Sequence, residues 1–588
     1  MNPHGNCLGR RNGTSRYKWQ SYSQVHAQVT AFGSALVGRG AVKGTLVAIY
    51  SVNCPEWVVA SRACNSQSLV TCPLYDTLGV DACKFILNQT EAPIVVVGPK
   101  QFGLMMEIAD QCPCVKLIVR IGPKDDAIVD PRVISFEDFL EEGVKKPVAA
   151  NPPSPEDVAT VCYTSGTTGD PKGAIISHRA LTADVAGVRA RLGGVALGPA
   201  DVHISYLPLA HMFERLIEEL CFVVGAGVGF FGGDITKIFE DINVLKPTLF
   251  VSVPRIYTRL SDRIRDSVQK QGLLRRTLFN LALWTKKRNL RSNVTRHWLW
   301  DRLVFHKLRA LVGGRVRIMV SGAAPLSEEV MSFLRCSFSC LVLEGYGQTE
   351  CAAAASATAP GDCSVGHVGP PLPCVEIKLV DVPDMMYFSS DIPRPRGEVC
   401  FRGPVLFSGY FKGASESPVD KDGWLHSGDI GQWNANGTLT IIDRRKNIFK
   451  LAQGEYVAPE RVEGVYSNSE FVAQIFVTGN SLEASLVAVV VPSEESALAF
   501  ARSNGIPADN LKQLCADHTF KEAVMFDLKT HAARAGLKGF ECVTDIALTT
   551  NSFTVENGIL TPTYKIKRPV ANRIFQREIM AMYAKAKK

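Results

Sequence analysis

Between Tyr163 and His178 the chain reads YTSGTTGDPKGAIISH, and residues 164–169 are all Gly, Ser or Thr, with Lys172 just beyond them. Glycines let a backbone approach an anion, hydroxyls and amides donate to it, and a lysine adds charge. The chemistry implied is the cradling of phosphate oxygens. A Walker A loop is excluded, because Pro171 stands five residues after Gly166 and no Gly-Lys-Ser/Thr follows. The competing description is a flexible glycine-rich surface loop. The flanks weigh against it, since a strand-like run at 159–163 leads in and a helix-like segment follows.

Such a loop needs a sheet behind it. SYSQVHAQVTAFGSALVGRG places apolar residues at helical spacing and stops at Gly, whereas LVAIYS and APIVVVGPK read as buried strands. Further strand candidates are TLFVSVP (248–254), VRIMVSGAAP (316–325) and CLVLEGYGQTE (340–350). Each ends in a polar loop, and in open α/β sheets the loops at the carboxyl ends of strands build the ligand site. From Cys363 to Thr440 short apolar runs broken by Gly and Pro predict antiparallel β or a small barrel. After the charged stretch DRRKNIFK (443–450) the chain restarts with QIFVTG and ASLVAVVVP at hairpin spacing, followed by amphipathic helices. The fold class expected is α/β: a large N-terminal domain (1–442) of α/β subdomains plus a small β-barrel-like part, then a small α+β C-terminal domain (447–588).

Composition sets the outer limits. With 588 residues, 46% hydrophobic and 21% charged, the chain is an ordinary globular protein of several domains, not a disordered or collagenous one. Its 17 cysteines are scattered with no CxxC pair, which suggests neither a disulfide framework nor a zinc ribbon and favours a reducing, intracellular home. The longest apolar stretch, residues 220–233, has 14 residues and five glycines, short of the roughly 20 a membrane helix needs. No signal-peptide h-region and no SKL or KDEL ending is seen, so the cytoplasm or the cytosolic face of an intracellular membrane is expected.

The net charge of +8 is unevenly spread. Residues 255–317 hold 17 Lys or Arg against three Asp, about +14, leaving about −6 elsewhere. Trp284, Trp298, Trp300 and Phe305 interleave with those cations, a mixture suited to anionic headgroups with aromatics at the interface. Solvated cations over ordinary helix packing, or binding of the anionic phosphates of a small-molecule substrate, are the alternatives. Nucleic acid is disfavoured, because no recognised nucleic-acid module accompanies the segment.

The loop resembles the signature of the adenylate-forming superfamily, which includes acyl-CoA synthetases, firefly luciferase and peptide-synthetase adenylation domains. Further landmarks come in the family's order: LPLAHMFER (207–215), SGAAPLS (321–327), EGYGQTE (344–350), GWLHSGDIG (423–431), IIDRRKNIFKLAQGEYVAPERVE (441–463) and TPTYKIKR (561–568). NCPEW (53–57), PLYDTLG (73–79) and KLAQGEYVAPE resemble the long-chain acyl-CoA synthetase branch. The resemblance covers about residues 17–575.

The resemblance implies ATP-dependent activation of a long-chain fatty acid to acyl-CoA through an acyl-adenylate, with ATP and CoA as substrates and Mg²⁺ as cofactor. Thr164, Ser165, Gly166, Thr167, Thr168, Gly169 and Lys172 would wrap the phosphates, and Thr167 and Glu350 would sit near the Mg²⁺. Gly345, Tyr346, Gly347 and Thr349 would hold the adenine end, and Asp429 both ribose hydroxyls, with Arg444 reaching ribose or phosphate. Lys565 would be the mobile catalytic cation that bridges the acid and the α-phosphate. Most relatives have Gly before that lysine, whereas here it is Tyr564. His211 would line the acyl or CoA channel or be a satisfied core histidine, and Gly454 and Glu455 would face the CoA arm. Residues 443–446, from Asp443 to Lys446, would be the hinge of a mobile C-terminal domain.

The glycine-rich run 223–233 would line the acyl tunnel or simply pack in the core. Long-chain relatives usually carry a longer leader, whereas 16 residues precede Tyr17 here, so an abbreviated form is expected. Two rivals remain: an adenylating ligase with another acid or acceptor, and a catalytically inactive lipid-binding or uptake protein. Neither GxSxG nor HExxH is present to support a hydrolase or zincin.

Overall fold

The computed structural model describes residues 2–12, 16–123, 125, 129–164, 171–195, 197–413, 417–453, 455–479, 481–508, 510–561 and 564–586. Two compact units emerge: residues 1–324, 328–377 and 401–425 form one, and residues 325–327, 378–400 and 426–588 the other. Asp443, the expected domain boundary, falls inside the second unit, near the end of the strand Leu439–Arg444.

The first unit carries two sheets. One runs Val133–Ser135, Leu117–Arg120, Ile94–Val97, Leu46–Tyr50, Val70–Leu74, Val158–Thr164, Lys172–Ser177, parallel except for its last pair. Parallel strands buried on both faces have to be apolar throughout. Val47, Ala48 and Ile49, and beside them Val95, Val96 and Val97, are fully buried. The other sheet runs Ser356–Ala357, Leu341–Tyr346, Ile318–Ser321, Leu249–Ser252, Val202–Ser205, Gly227–Phe230, Asn6–Asn12, Arg16–Ser21. Its outermost pair at each end is antiparallel and the rest are parallel. The strand candidates at 248–254, 316–325 and 340–350 are neighbours in this sheet. Within the run 223–233, Gly227–Phe230 is a fully buried strand, so packing describes that part.

One expectation is corrected at the phosphate loop. The segment directly after it is a strand, Lys172–Ser177, paired antiparallel with Val158–Thr164, and the helix begins only at His178. β-Branched Ile175 and Ile176 favour the extended state, and Ser177 Oγ caps the helix by accepting from Ala180 N at 3.2 Å. Thr164 and Lys172, on either side of residues 165–170, are therefore paired across two antiparallel strands.

In the second unit lies most of a four-stranded sheet, Glu376–Val380, Arg396–Arg402, Leu425–Trp433, Leu439–Arg444, in the region expected to be antiparallel β. A three-stranded sheet comes next. Val472–Thr478 and Leu486–Pro492 pair antiparallel, as their hairpin spacing predicts, and Val543–Leu548 joins in parallel. Phe520, Val524 and Leu528 repeat every four residues on the helix His518–Arg534 and bury one stripe against this sheet's core, with Val462 and Tyr466.

Candidate active site

Two clusters of the expected site residues form, one in each unit. In the first unit Thr164 and Lys172 face each other across this antiparallel pair, with Thr164 Oγ1 donating to Lys172 O at 3.4 Å. Ser165, Gly166, Thr167, Thr168 and Gly169 lie outside the described residues. The Lys172 ammonium sits 5.6 Å from the centre of the Tyr410 ring, and the Tyr410 hydroxyl donates to Glu350 Oε1 at 2.8 Å. Backbone bonds hold the same arrangement: Ile175 N to Gly409 O at 3.0 Å, and Phe407 N to Glu350 O at 2.9 Å. One tyrosine thus joins Lys172, at the edge of the expected phosphate loop, to the single carboxylate expected beside a metal ion.

Glu350 and Thr349 occupy a short 3₁₀ turn, Thr349–Cys351, which Gly347 and Gln348 link to the strand Leu341–Tyr346. Tyr346 is half-buried, its ring 5.8 Å from that of Phe401. The turn doubles back so closely that a Cβ on Gly347 would lie 2.2 Å from Ala353 O and 2.9 Å from Ala354 Cα, backbone atoms that cannot swing away. Ala354 N is in turn held by Asp184 Oδ2 at 3.0 Å, on the helix that begins at His178. Burial pushes the Asp184 carboxyl well above the usual carboxylate range. We expect Gly347→Ala to weaken nucleotide binding by at least about tenfold through this overpacking, with the fold retained. Calorimetric titration with AMP, alongside circular dichroism, checks it.

His211 is the N-cap of the helix Met212–Val224, its Nδ1 accepting from Phe213 N at 3.1 Å. The segment before it is fastened by Asn53, from NCPEW, whose buried amide donates to Ser205 Oγ at 2.8 Å and Leu207 O at 2.7 Å and accepts from Leu209 N at 3.0 Å. Cys162 Sγ, just before the phosphate loop, reaches Ala210 O at 3.3 Å. Buried Arg215 donates to Thr160 Oγ1 at 2.8 Å and lies 5.8 Å from the Trp57 ring centre. NCPEW and LPLAHMFER are therefore interlocked parts of one scaffold.

In the second unit Asp429 and Arg444 are cross-strand partners, with Arg444 Nε 3.6 Å from Asp429 Oδ1. Lys565 is half-buried beside them. Its ammonium is pushed down to about 8, first by desolvation and then by the Arg444 charge, which outweigh the attraction of Glu460 and Asp429. Lys565 N bonds Thr561 Oγ1 at 3.0 Å, and Thr561 N bonds Lys565 O at 2.8 Å. Tyr564 between them adopts φ +61°, the left-handed region where glycine is favoured, so the tyrosine keeps a glycine-type turn at a cost in backbone strain.

Beyond the lysine, Arg568 forms a buried ion pair with Glu463, Nη2 to Oε2 at 2.6 Å, and donates to Val477 O at 3.1 Å. Asp443 is buried too. It accepts from Arg444 N at 2.6 Å and Glu460 N at 2.9 Å, and burial next to Glu460 pushes its carboxyl up to about 8. Lys446 is exposed. Glu455 is exposed at the end of the small hairpin of Phe449–Lys450 with Tyr456–Val457, and Gly454 lies outside the described residues.

Tyr410, Asp184, Asn53 and Glu463 were missed by the sequence reading. Each acts through a partner far along the chain; Asn53 and Glu463 stand inside the segments NCPEW and IIDRRKNIFKLAQGEYVAPERVE, whereas nothing local sets Tyr410 or Asp184 apart.

A family model described as AMP-binding enzyme matches residues 6–411. The peroxisomal long chain acyl-CoA synthetase 7 of Arabidopsis thaliana is 45% identical, across 98% of this chain and 83% of that protein. The long-chain-fatty-acid--CoA ligase 1 of Homo sapiens is 44% identical, across 99% and 85%. Among solved structures, the adenylation domain of the carboxylate reductase of Mycobacterium chelonae superposes with a TM-score of 0.83 at 27% identity, covering 99% of this chain and 89% of that one.

Proposed function

We infer that the chain, which belongs to the AMP-binding enzyme family, is a long-chain fatty acid--CoA ligase that forms acyl-CoA, AMP and pyrophosphate through an acyl-adenylate. The observation that carries this reading is the Lys172, Tyr410 and Glu350 cluster at the edge of the expected phosphate loop. A carboxylate is a poor electrophile, so it first attacks the α-phosphate of ATP, and pyrophosphate leaves. Two anions have to meet, and the protein's part is to position them and neutralise their charge.

Lys172 and the hydroxyls and amides of 164–169 hold the phosphates, Tyr346 supports the adenine, and Asp429 accepts from the ribose hydroxyls with Arg444 beside it. Lys565 neutralises the acid and the α-phosphate as the bond forms. Mg²⁺ fits Glu350: one carboxylate with an oxygen fixed by Tyr410 suits an ion that takes few protein ligands alongside phosphates and water. Thr167 is its second expected ligand, and the ion neutralises phosphate charge when bound. In the second step the CoA thiolate attacks the acyl carbon and AMP leaves. Residues 443–446 are the hinge, removing Lys565 and bringing in the loop of Gly454 and Glu455, with His211 near the channel. ATP–pyrophosphate exchange with acids of increasing chain length, with and without CoA, tests this. Exchange driven by long-chain acids without CoA supports the reading, and exchange with aryl acids alone would overturn it.

The basic segment supports a second element of the proposal, contact with an anionic membrane surface. No helix of the described residues is long and apolar enough to cross a membrane. On the helix Leu273–Leu290, Phe279, Ala282 and Leu290 face inward, while Leu274, Leu278, Leu281 and Trp284 form an apolar stripe on the opposite face. Leu274 is 84% exposed and Trp284 60%, and Trp298 nearby in sequence is 82% exposed. Arg275, Arg276, Lys287 and Arg288 share the helix. Lys286 is the exception, buried with its ammonium 2.5 Å from Asp301 and 2.6 Å from Ser339 Oγ. We expect binding to vesicles rich in anionic lipid, weakened by salt. In Leu274→Ser/Trp284→Ser that binding should fall at least about tenfold while ligase activity on dispersed substrate is kept. Co-sedimentation indifferent to lipid charge, salt and both substitutions would remove the membrane role.

A further inference from the structure

The strand Arg396–Arg402 and its neighbour Leu425–Trp433 bring together three side chains to which the proposed reaction assigns no role. Glu398 and Cys400 are two apart on one strand and so share a face. His426 Nδ1 lies 3.1 Å from Glu398 Oε2 and 3.5 Å from Cys400 Sγ, and the three donor atoms are all within 4.8 Å of one another. Tetrahedral coordination at ordinary zinc distances puts neighbouring nitrogen and oxygen ligands about 3.4 Å apart and nitrogen and sulfur ligands about 3.6 Å apart. The nitrogen–sulfur separation of 3.5 Å lies close to its edge, and the nitrogen–oxygen separation of 3.1 Å needs only a small expansion to reach its own.

We propose that Glu398, Cys400 and His426 form a three-ligand site for a Zn²⁺-class cation, with the fourth position open to water. The donor set is a thiol sulfur, an imidazole and a carboxylate, which selects a borderline-soft ion over the hard Mg²⁺ that accompanies ATP. The carboxylate is already oriented. Gly428 N donates to Glu398 Oε1 at 3.1 Å, leaving Oε2 turned to the histidine. Arg445 Nη1 stands 4.0 Å from that oxygen and opposes the cation, but its Nη2 is engaged by both Asp384 carboxylate oxygens, at 3.2 and 3.1 Å. Cys400 is fully buried and Glu398 nearly so, while the His426 side chain is 34% exposed and offers the path of entry. Metal binding takes the cysteine as thiolate and the histidine as neutral imidazole, so affinity rises with pH.

The test is a Co²⁺ titration of the 588-residue chain, stripped of metal and free of nucleotide. The expected result is a single equivalent bound, with a thiolate-to-cobalt charge-transfer band and the visible bands of four-coordinate cobalt, all displaced by Zn²⁺. Cys400→Ser removes the charge-transfer band, and His426→Gln, on a partly exposed side chain, weakens binding at least about tenfold. X-ray absorption of the Zn²⁺-loaded wild type should report one sulfur among otherwise nitrogen and oxygen ligands. No band in the wild type, or a band that survives both substitutions, would show a hydrogen-bonded trio only and overturn the site.

Discussion

Lys565→Ala should abolish adenylation, with a fall of at least about a thousandfold in fatty-acid-dependent ATP–pyrophosphate exchange, while leaving the conversion of preformed acyl-AMP and CoA to acyl-CoA within a few fold of wild type. The reason is charge. Only the first step forces a carboxylate against a triphosphate, and Lys565 is the cation assigned to that encounter. Its pH dependence comes from its surroundings: with the ammonium pushed down to about 8, the charged form prevails below that pH and is lost above it. In the free enzyme kcat/KM for adenylation therefore falls as pH rises through about 8, well before an ordinary lysine would titrate. Lys565→Arg keeps a permanent charge. Whatever residual exchange it supports should lack the alkaline limb. Equal loss of both half-reactions in Lys565→Ala would refute the division of labour.

Arg568→Leu carries the largest expected cost in stability. It leaves Glu463 in the interior with one oxygen held by Val477 N at 2.8 Å and the other stripped of its guanidinium partner, and it removes the donor to Val477 O. Breaking a buried pair from one side costs about 3–5 kcal/mol. Because Arg568 opens the helix Arg568–Ile574, only three residues after the lysine, exchange activity should fall with stability. Adding Glu463→Gln to Arg568→Leu removes the stranded charge and should recover part of the loss. Thermal unfolding of the two variants beside wild type reads this out; a single variant as stable as wild type would show the pair to be dispensable.

These two residues illustrate what the sequence could and could not reveal. Six strands of the first unit were legible because buried parallel strands are continuous apolar runs, as in LVAIY and IVVV, while others such as Asn6–Asn12 and Val202–Ser205 were not. The loops at their carboxyl ends were legible too, since glycine, hydroxyl and charge clusters stand out against apolar flanks. The strand that follows the phosphate loop was not legible. KGAIIS is short, and a short apolar run does not separate strand from helix by period alone. Asp184, Asn53 and Tyr410 escaped for another reason: each is an ordinary polar or aromatic residue locally, and gains its role from a partner that only the fold brings near. Tyr564 shows the reverse case. Its departure from the usual glycine was visible, yet only the backbone angle shows that the turn keeps the glycine conformation.

The central claim is that one chain runs two chemical steps through an acyl-adenylate. It is tested most directly by mixing the enzyme with ATP, Mg²⁺ and a long-chain fatty acid without CoA, quenching, and quantifying acyl-AMP by mass spectrometry before and after a CoA chase. The account predicts acyl-AMP accumulating to about one per enzyme, then converting to acyl-CoA with release of AMP. Acyl-CoA formed with no CoA-independent acyl-AMP, or ADP and phosphate as products, would contradict it.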